Sequence, residues 1–215
     1  MNIIFNSLNW LLNYIFTLTG DLGITIILLT ILVRIILLPI DIKQKKGMLK
    51  QQELSKKMEG IKEKYKNNKM KLEEELQKHY KESAKAMIGC AVTFLQLPVV
   101  FSLYSVVIKL PINVGTVIIP WVATVKMADS YFIIPAIYAI ASTLPNLINS
   151  IPYLRVLGQV KVSKVNIIIT TIFSLFITIK APIAIGIYFI TTSLFSLLEE
   201  IAFRLCIKSM ATNYQ

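Results

Sequence analysis

The chain has 215 residues, 55% of them hydrophobic, with a mean hydropathy of +0.64 and a formal net charge of +11. That hydropathy excludes an ordinary soluble domain and predicts a polytopic membrane protein. The charge does not read as a nucleic-acid footprint: most lysines fall in one polar insertion, Lys43 to Lys85, with no aromatic-interleaved motif.

Residues 1–19 carry no charged side chain. Ile4, Leu8, Leu11, Leu12 and Ile15 recur at helical spacing, while Asn2, Asn6, Asn9 and Asn13 mark another face. The pattern predicts an interfacial amphipathic helix on the outer surface, anchored by Trp10 and Tyr14. The alternative is the apolar core of a signal peptide, against which stand the absence of a basic n-region and of an A-x-A-like cleavage site.

Five transmembrane spans follow. The first runs from about Leu22 to Ile40, the second from Ala86 to Ile108, and the third from Tyr131 to Ile148. The fourth runs from Val165 to Ile179 and the fifth from Ile183 to Phe203. Lys180-Ala181-Pro182 is the whole connection between the last two, so they form a tight hairpin in which Pro182 opens the fifth span. Between the first two spans, residues 43–85 predict a helical hairpin of two amphipathic arms broken at Asn67-Asn68. Its charges form a solvated face, which next to a bilayer meets anionic lipid or an acidic partner. The outer loop from Lys109 to Ser130 contains Pro111, Pro120 and Trp121, and its Val-Ile-Ile stretch is too short to span. Lysine and arginine concentrate on the side of the hairpin, of Arg155, Lys161 and Lys164, and of Arg204 and Lys208. By the positive-inside rule that side is cytoplasmic, giving an N-out/C-in topology.

Arg34 is the most informative residue. It stands inside an otherwise apolar run, where a guanidinium costs roughly 2.5 kcal/mol or more on insertion scales. Thr30 and Asp41 share its helical face, which favours a functional partner or a water-filled cavity over snorkelling to the headgroups. Further polar residues lie within the other spans: Thr93, Gln96 and Tyr104 on the second, Ser142, Asn146 and Asn149 on the third, and Tyr188, Thr192 and Glu199, aligned at helical spacing with Phe195 and with Glu200 beside them, on the fifth. Each alone reads as an interhelical hydrogen bond, of roughly 0.6–2 kcal/mol. Together with Arg34 they predict polar faces turned toward a shared space in the inner half of the bilayer. Pairing of Arg34 with Glu199 or with Glu200 would reduce the cost of burying either charge.

Catalytic chemistry has little material. The sequence has no Gly-rich phosphate loop, no HExxH and no GxSxG. Cys90 and Cys206 are isolated, and His79 is the only histidine. The expectation is a non-enzymatic protein with no cofactor and no metal.

Gly89-Cys90, Gln96-Leu97-Pro98 and Leu103-Tyr104 are similar to the G-C, Q-x-P and L-Y pattern of the YidC-type membrane protein insertases. Thr30-Ile31-Leu32-Val33-Arg34 with Pro39 resembles the arginine-bearing first core span of that family. Glu75 to Lys81 resembles the end of its cytoplasmic hairpin, and Ile134-Pro135 and Ala181-Pro182 through Tyr188 fit its third and fifth spans. The resemblance extends from about Gly20 to Arg204 and is nearest to the short, Gram-positive-like form. Departures are Lys85-Ala86 for Asn-Pro, Phe189 where tryptophan is frequent, and Glu199-Glu200 where glutamines are common.

The resemblance implies an all-α integral membrane protein of a bacterial plasma membrane, with an outer helix at 1–19 and a five-span core over 20–215. It implies a hydrophilic groove open to cytoplasm and lipid but closed toward the outside, in which Arg34 and Gln96 hold matching positions, joined here by Thr30, Asn146, Tyr188 and Glu199. The expected function is to move short polar segments of client proteins across the membrane and release apolar helices to lipid. Expected partners are nascent membrane proteins and membrane lipids, with the ribosome or the Sec translocon as further candidates and no specific nucleic acid sequence. The alternatives are a small anion channel or transporter with Arg34 as the solute-binding residue, and a noncatalytic assembly scaffold.

Overall fold

Long apolar runs with few breakers leave the α-helix as the way a backbone satisfies its own N–H and C=O groups in hydrocarbon. The computed structural model, which describes residues 2–66, 69–73, 99–105, 107–108, 115–148, 151, 154 and 164–212, is accordingly helical, with no strand among the described residues. Five helices have defined bounds: α1 Asn2–Thr19, α2 Leu22–Lys64, α3 Ile133–Leu147, α4 Lys164–Thr178 and α5 Ile183–Thr212. The chain divides into two compact units. One comprises Met1–Ile36, Gln96–Arg155 and Lys161–Gln215, the other Leu37–Leu95 and Val156–Val160.

α2 and α5 are long and apolar enough to cross a membrane. α3 and α4, at 15 residues each, are shorter apolar helices. At 1.5 Å per residue each extends about 22 Å, less than a hydrocarbon core of about 30 Å. The expected third and fourth spans thus match helices to within two residues at each end, and the fifth continues beyond its expected end at Phe203. Of the expected second span, only 99–105 and 107–108 are described, and they are helical.

The sequence predicts the first span and the first arm of the hairpin as separate elements, whereas they are one helix of 43 residues. Pro39 lies inside it, where the ring removes one backbone donor. The stretch that follows contains no other proline. Its many lysines, glutamines and glutamates are good helix formers that outweigh Gly47 and Gly60, each about 1 kcal/mol less favourable than alanine. In the second unit, Leu54 is the buried residue of this helix, and the Lys64 ammonium lies 5.6 Å from the centre of the Tyr65 ring. α2 ends at Lys64 and residues 69–73 are helical again; the expected break at Asn67-Asn68 itself lies outside the described residues. The rest of the expected hairpin lies outside the described residues.

In the larger unit, the core is built from Leu22, Ile26 and Leu29 of α2, Leu103 and Val107, and the first turns of α5 from Ile183 to Tyr188. α1 adds Leu12 and Ile15 to it. Its other face carries Trp10 and Tyr14, exposed and stacked with ring centres 5.6 Å apart. The α1–α2 turn closes through Gly20, whose φ of 65° is the left-handed value that glycine adopts without a Cβ penalty. Beyond it the hydroxyls of Thr19 and Thr25 meet at 2.8 Å. α3 packs against both α4 and α5. Ser142 of α3 meets Ser174 of α4 at 2.8 Å, and Tyr138 stacks on Phe189 of α5 with ring centres 5.1 Å apart.

α2, α3 and α5 all begin at the 115–132 loop. A helix start leaves N–H groups without intrahelical partners, and here the loop and two acids satisfy them. Asp21 accepts from Ile24 N at 2.9 Å, from the Thr116 hydroxyl at 2.8 Å and from Val117 N at 2.7 Å. Asp129 accepts from Ile134 N at 2.8 Å, Tyr131 N at 3.1 Å and Trp121 Nε1 at 3.3 Å. Ile183 N and Ala184 N donate to the Met127 and Val125 carbonyls at 2.9 and 3.0 Å, and the Pro182 carbonyl accepts from Ile185 N. Three starts at one loop make α2, α3 and α5 run the same way.

Candidate functional site

Arg34 lies in the apolar half of α2, in the larger unit, and is 8% exposed. Tyr188, in the second turn of α5, is within its electrostatic reach. Thr30, one turn before Arg34, is buried and donates its hydroxyl to the Ile26 carbonyl at 2.6 Å, which satisfies it without leaving its own helix. Thr30, Tyr188 and Ser102 line a common cavity of about 10 Å³, walled otherwise by Leu8 and Leu12 of α1, Leu29 and Val33 of α2, and Val99 and Leu103. That space is about the size of one water molecule. α1 therefore lies alongside α2 as deep as Val33, one residue from Arg34.

The other expected residues are placed differently. Glu199 is buried on α5, eleven residues after Tyr188 and so on the same face about three turns further on. Asn146 is half-buried in the last turn of α3, its carbonyl accepting from Ile148 N. Neither lines the cavity of Thr30 and Tyr188. Gln96 and Thr93 lie outside the described residues, as does Asn149. Tyr104 is 44% exposed and does not turn inward. Ser142 is engaged with Ser174, an interhelical contact between α3 and α4. Glu200 is held by Arg204: Nε donates to its Oε1 at 2.7 Å and Nη2 lies 2.6 Å from the same oxygen. The Arg204 Nη1 donates to the Leu154 carbonyl at 2.9 Å.

Sequence reasoning passed over four of these residues. Asp21 and Asp129 each stand at the polar edge of an apolar run, the position of a helix-capping acid. Burial alone would raise both carboxyls, but the hydrogen bonds they accept outweigh it and hold both below the ordinary value of 3.8. Arg204 counted only toward the charge bias that sets topology, and Ser102 carried no signal beyond being polar in an apolar context.

A second, larger cavity of about 410 Å³ opens between α2, α3, α5 and the 115–132 loop. Ile27, Ile31, Ile137, Ile190, Phe195 and Leu198 contribute to its apolar walls, with Trp121 and Ile118 at the loop. Phe195, grouped by spacing with Tyr188 and Glu199, belongs to this apolar side of α5.

Residues 14–210 match the family described as 60Kd inner membrane protein. Proteins described as membrane protein insertase YidC are similar over most of the chain. That of Aquifex aeolicus is 32% identical over 202 residues, 93% of this chain and 38% of the relative. That of Helicobacter pylori, strain 26695, is 34% identical over 197 residues, 89% of this chain and 34% of the relative. That of Treponema pallidum is 33% identical over 159 residues, 73% of this chain and 25% of the relative. The chain spans between a quarter and two fifths of the length of these relatives.

Proposed function

The chain belongs to the 60Kd inner membrane protein family, and on that premise we propose that it is a membrane protein insertase and chaperone. It is an integral protein of a bacterial plasma membrane. Its five spans run N-out/C-in, with the 115–132 loop outside and the lysine-rich part of α2 in the cytoplasm. The clients are nascent membrane proteins whose short polar segments must pass hydrocarbon.

The observation that carries this reading is Arg34: a buried guanidinium in the apolar half of α2, beside Tyr188 and one turn from Thr30. Charges interact far more strongly at low local dielectric than in water. Arg34 attracts acidic side chains of an entering segment, and Thr30, Gln96, Asn146 and Tyr188 supply hydrogen bonds along a polar groove. Glu199, buried on α5, balances Arg34 when no client is present. The short α3 and α4 reduce the apolar path, since a bilayer thins around helices shorter than itself. Partition of the client's apolar helix into lipid supplies the driving force, so the reaction needs neither cofactor nor covalent step. The ribosome or the Sec translocon delivers clients at the lysine-rich side.

The test is insertion of a single-span client with an acidic N-terminal tail into proteoliposomes, read by protease protection. Arg34→Ala is expected to lower the protected fraction or its rate by about tenfold, the effect of losing one charge-assisted contact of about 1.4 kcal/mol. Arg34→Lys is expected to retain most of it. Equal protection by wild type and Arg34→Ala would leave Arg34 a structural role. Arg34-dependent solute flux without protection would replace the insertase by an anion transporter.

A further inference from the structure

The two acids in the second half of α5 are neighbours in sequence and differ in placement. Glu200 is committed to Arg204, whose Nε donates to its Oε1 at 2.7 Å while Nη1 donates to the Leu154 carbonyl at 2.9 Å. Arg204 is 2% exposed, so this pair is neutral and anchored. Glu199 is buried on a different face of the helix, the one that carries Tyr188 and Thr192. The helices fix its depth. α2 and α5 start at the same loop and run the same way. Tyr188 shares a cavity the size of one water with Thr30 and Val33, so those turns of α5 and α2 are level. Arg34 lies one to four residues beyond that level, about 2–6 Å at 1.5 Å per residue. Glu199 lies eleven residues beyond it, about 16 Å. Glu199 therefore stands about 10–15 Å past Arg34 along the bundle, away from the 115–132 loop.

We propose that Arg34 and Glu199 together select clients by the order of their charges, with Glu199 as the residue that takes a basic side chain. A segment entering from the lysine-rich side passes the carboxylate of Glu199 before it reaches the guanidinium of Arg34. An acidic side chain at its leading end then settles on Arg34 while a basic side chain behind it settles on Glu199. An extended chain advances about 3.3 Å per residue, so a gap of about 10–15 Å puts the base three to five residues behind the acid. A segment with the acid alone gains one charge-assisted contact, and a segment with both charges in that order gains two. The selection rests on the insertase reading and deepens it.

Three single-span clients are compared in proteoliposomes without a membrane potential, read by protease protection. The first has one aspartate in its N-terminal tail and no other charge there. The second adds a lysine four residues behind the aspartate, and the third carries the same two charges in reverse order. A lysine in a translocated tail ordinarily hinders transfer. Here the second client is expected to be protected about tenfold faster than the first, the effect of one more charge-assisted contact. The third is expected to be no faster than the first. In Glu199→Gln the ratio of second to first should fall to about one or below, and in Glu200→Gln it should stay as in the wild type. Because the ratio is taken within one variant, the amount of folded protein cancels. Moving the lysine to about ten residues behind the aspartate should abolish the preference without altering the insertase. A wild-type ratio of one or less, with the first client still protected, overturns the charge selection and leaves the insertase reading standing. A preference that ignores spacing, survives Glu199→Gln or is lost in Glu200→Gln overturns the role of Glu199. Protection of no client overturns both.

Discussion

Asp21 and Arg34 are equally withdrawn from solvent, each 8% exposed, and sit thirteen residues apart at the start of the chain's first long helix and within it. Their surroundings differ in kind. Asp21 is fixed by two backbone N–H groups and a threonine hydroxyl, two of these three donors coming from a loop nearly a hundred residues away. Arg34 has the phenol of Tyr188 within reach and a threonine one turn away, side chains that can rotate. A charge held by backbone donors keeps one arrangement. A charge among side chains can exchange partners with a visitor. The first fixes the loop against the helix starts, and the second is what the proposed client path requires.

Acid breaks the first arrangement and has the largest expected effect on stability. Both carboxyls have folded-state values held below 3.8, burial opposing and the hydrogen bonds prevailing. The sign follows from linkage: the unfolded chain takes up these protons first as pH falls. Their stabilisation is therefore complete above the ordinary carboxylate range and is lost as pH falls below 3.8 through the folded values. Thermal unfolding in detergent is expected to show this loss in acid. A chain with Asp21→Asn and Asp129→Asn should be less stable at neutral pH and should lack that part of the acid dependence. Equal acid slopes in the two chains would mean that Asp21 and Asp129 are not ionised in the fold.

Much of this was legible in the sequence, and the exceptions have physical causes. Apolar periodicity placed α3, α4 and the start of α5 within two residues because polar or helix-breaking residues bound those apolar runs. Pro182 marked the start of α5, which opens at Ile183, because a proline cannot continue the hydrogen-bond ladder. The continuity of α2 through Lys43 to Lys64 was not legible, since a polar segment next to a membrane carries no mark of whether the helix pauses. Nor was the grouping of the polar residues. Spacing assigns a face but not the neighbour it meets, so Ser142 turned to α4 and Phe195 to an apolar cleft. The caps by Asp21 and Asp129 depend on a loop whose packing against three helix starts no local pattern reports.

The pair of Arg204 and Glu200 is intermediate between the two arrangements. Arg204 is 2% exposed, and its side chain binds both a backbone carbonyl and the Glu200 carboxylate, whose own side chain is 18% exposed. Removing one partner of a buried pair costs about 3–5 kcal/mol, and the partial exposure of Glu200 lowers the expectation for Glu200→Ala to about 2–4 kcal/mol. Glu200→Gln keeps an acceptor and should cost less. Denaturant titration in mixed micelles distinguishes them.

Gly186 tests packing where polarity plays no part. A Cβ there would collide with Cγ2 of Ile134, a branched carbon next to the α3 backbone that cannot swing aside. Gly186→Ala is expected to separate α5 from α3 and cost about 1–3 kcal/mol, the usual range for overpacking. Ile134→Val keeps that methyl group and should not relieve the clash. Ile134→Ala in the same chain should recover part of the loss.

The contact of Ser142 with Ser174 should matter least, for a reason that can be counted in protons. Three contacts converge there: Ser142 Oγ with the Ala139 carbonyl at 2.9 Å, Ser174 Oγ with the Thr170 carbonyl at 2.7 Å, and the two hydroxyls with each other at 2.8 Å. Two hydroxyl protons cannot make all three at once, so each serine already alternates with a carbonyl of its own helix. Ser142→Ala leaves Ser174 bonded to Thr170, and the expected cost is about 0.6 kcal/mol, the average for a hydrogen bond between membrane helices. Ser174→Ala likewise leaves Ser142 bonded to the Ala139 carbonyl, and a similar cost is expected. A loss of several kcal/mol from either would contradict the distinction drawn between Asp21 and Arg34. It would mean that side-chain contacts between these helices hold one arrangement as firmly as the backbone-anchored ones at the loop.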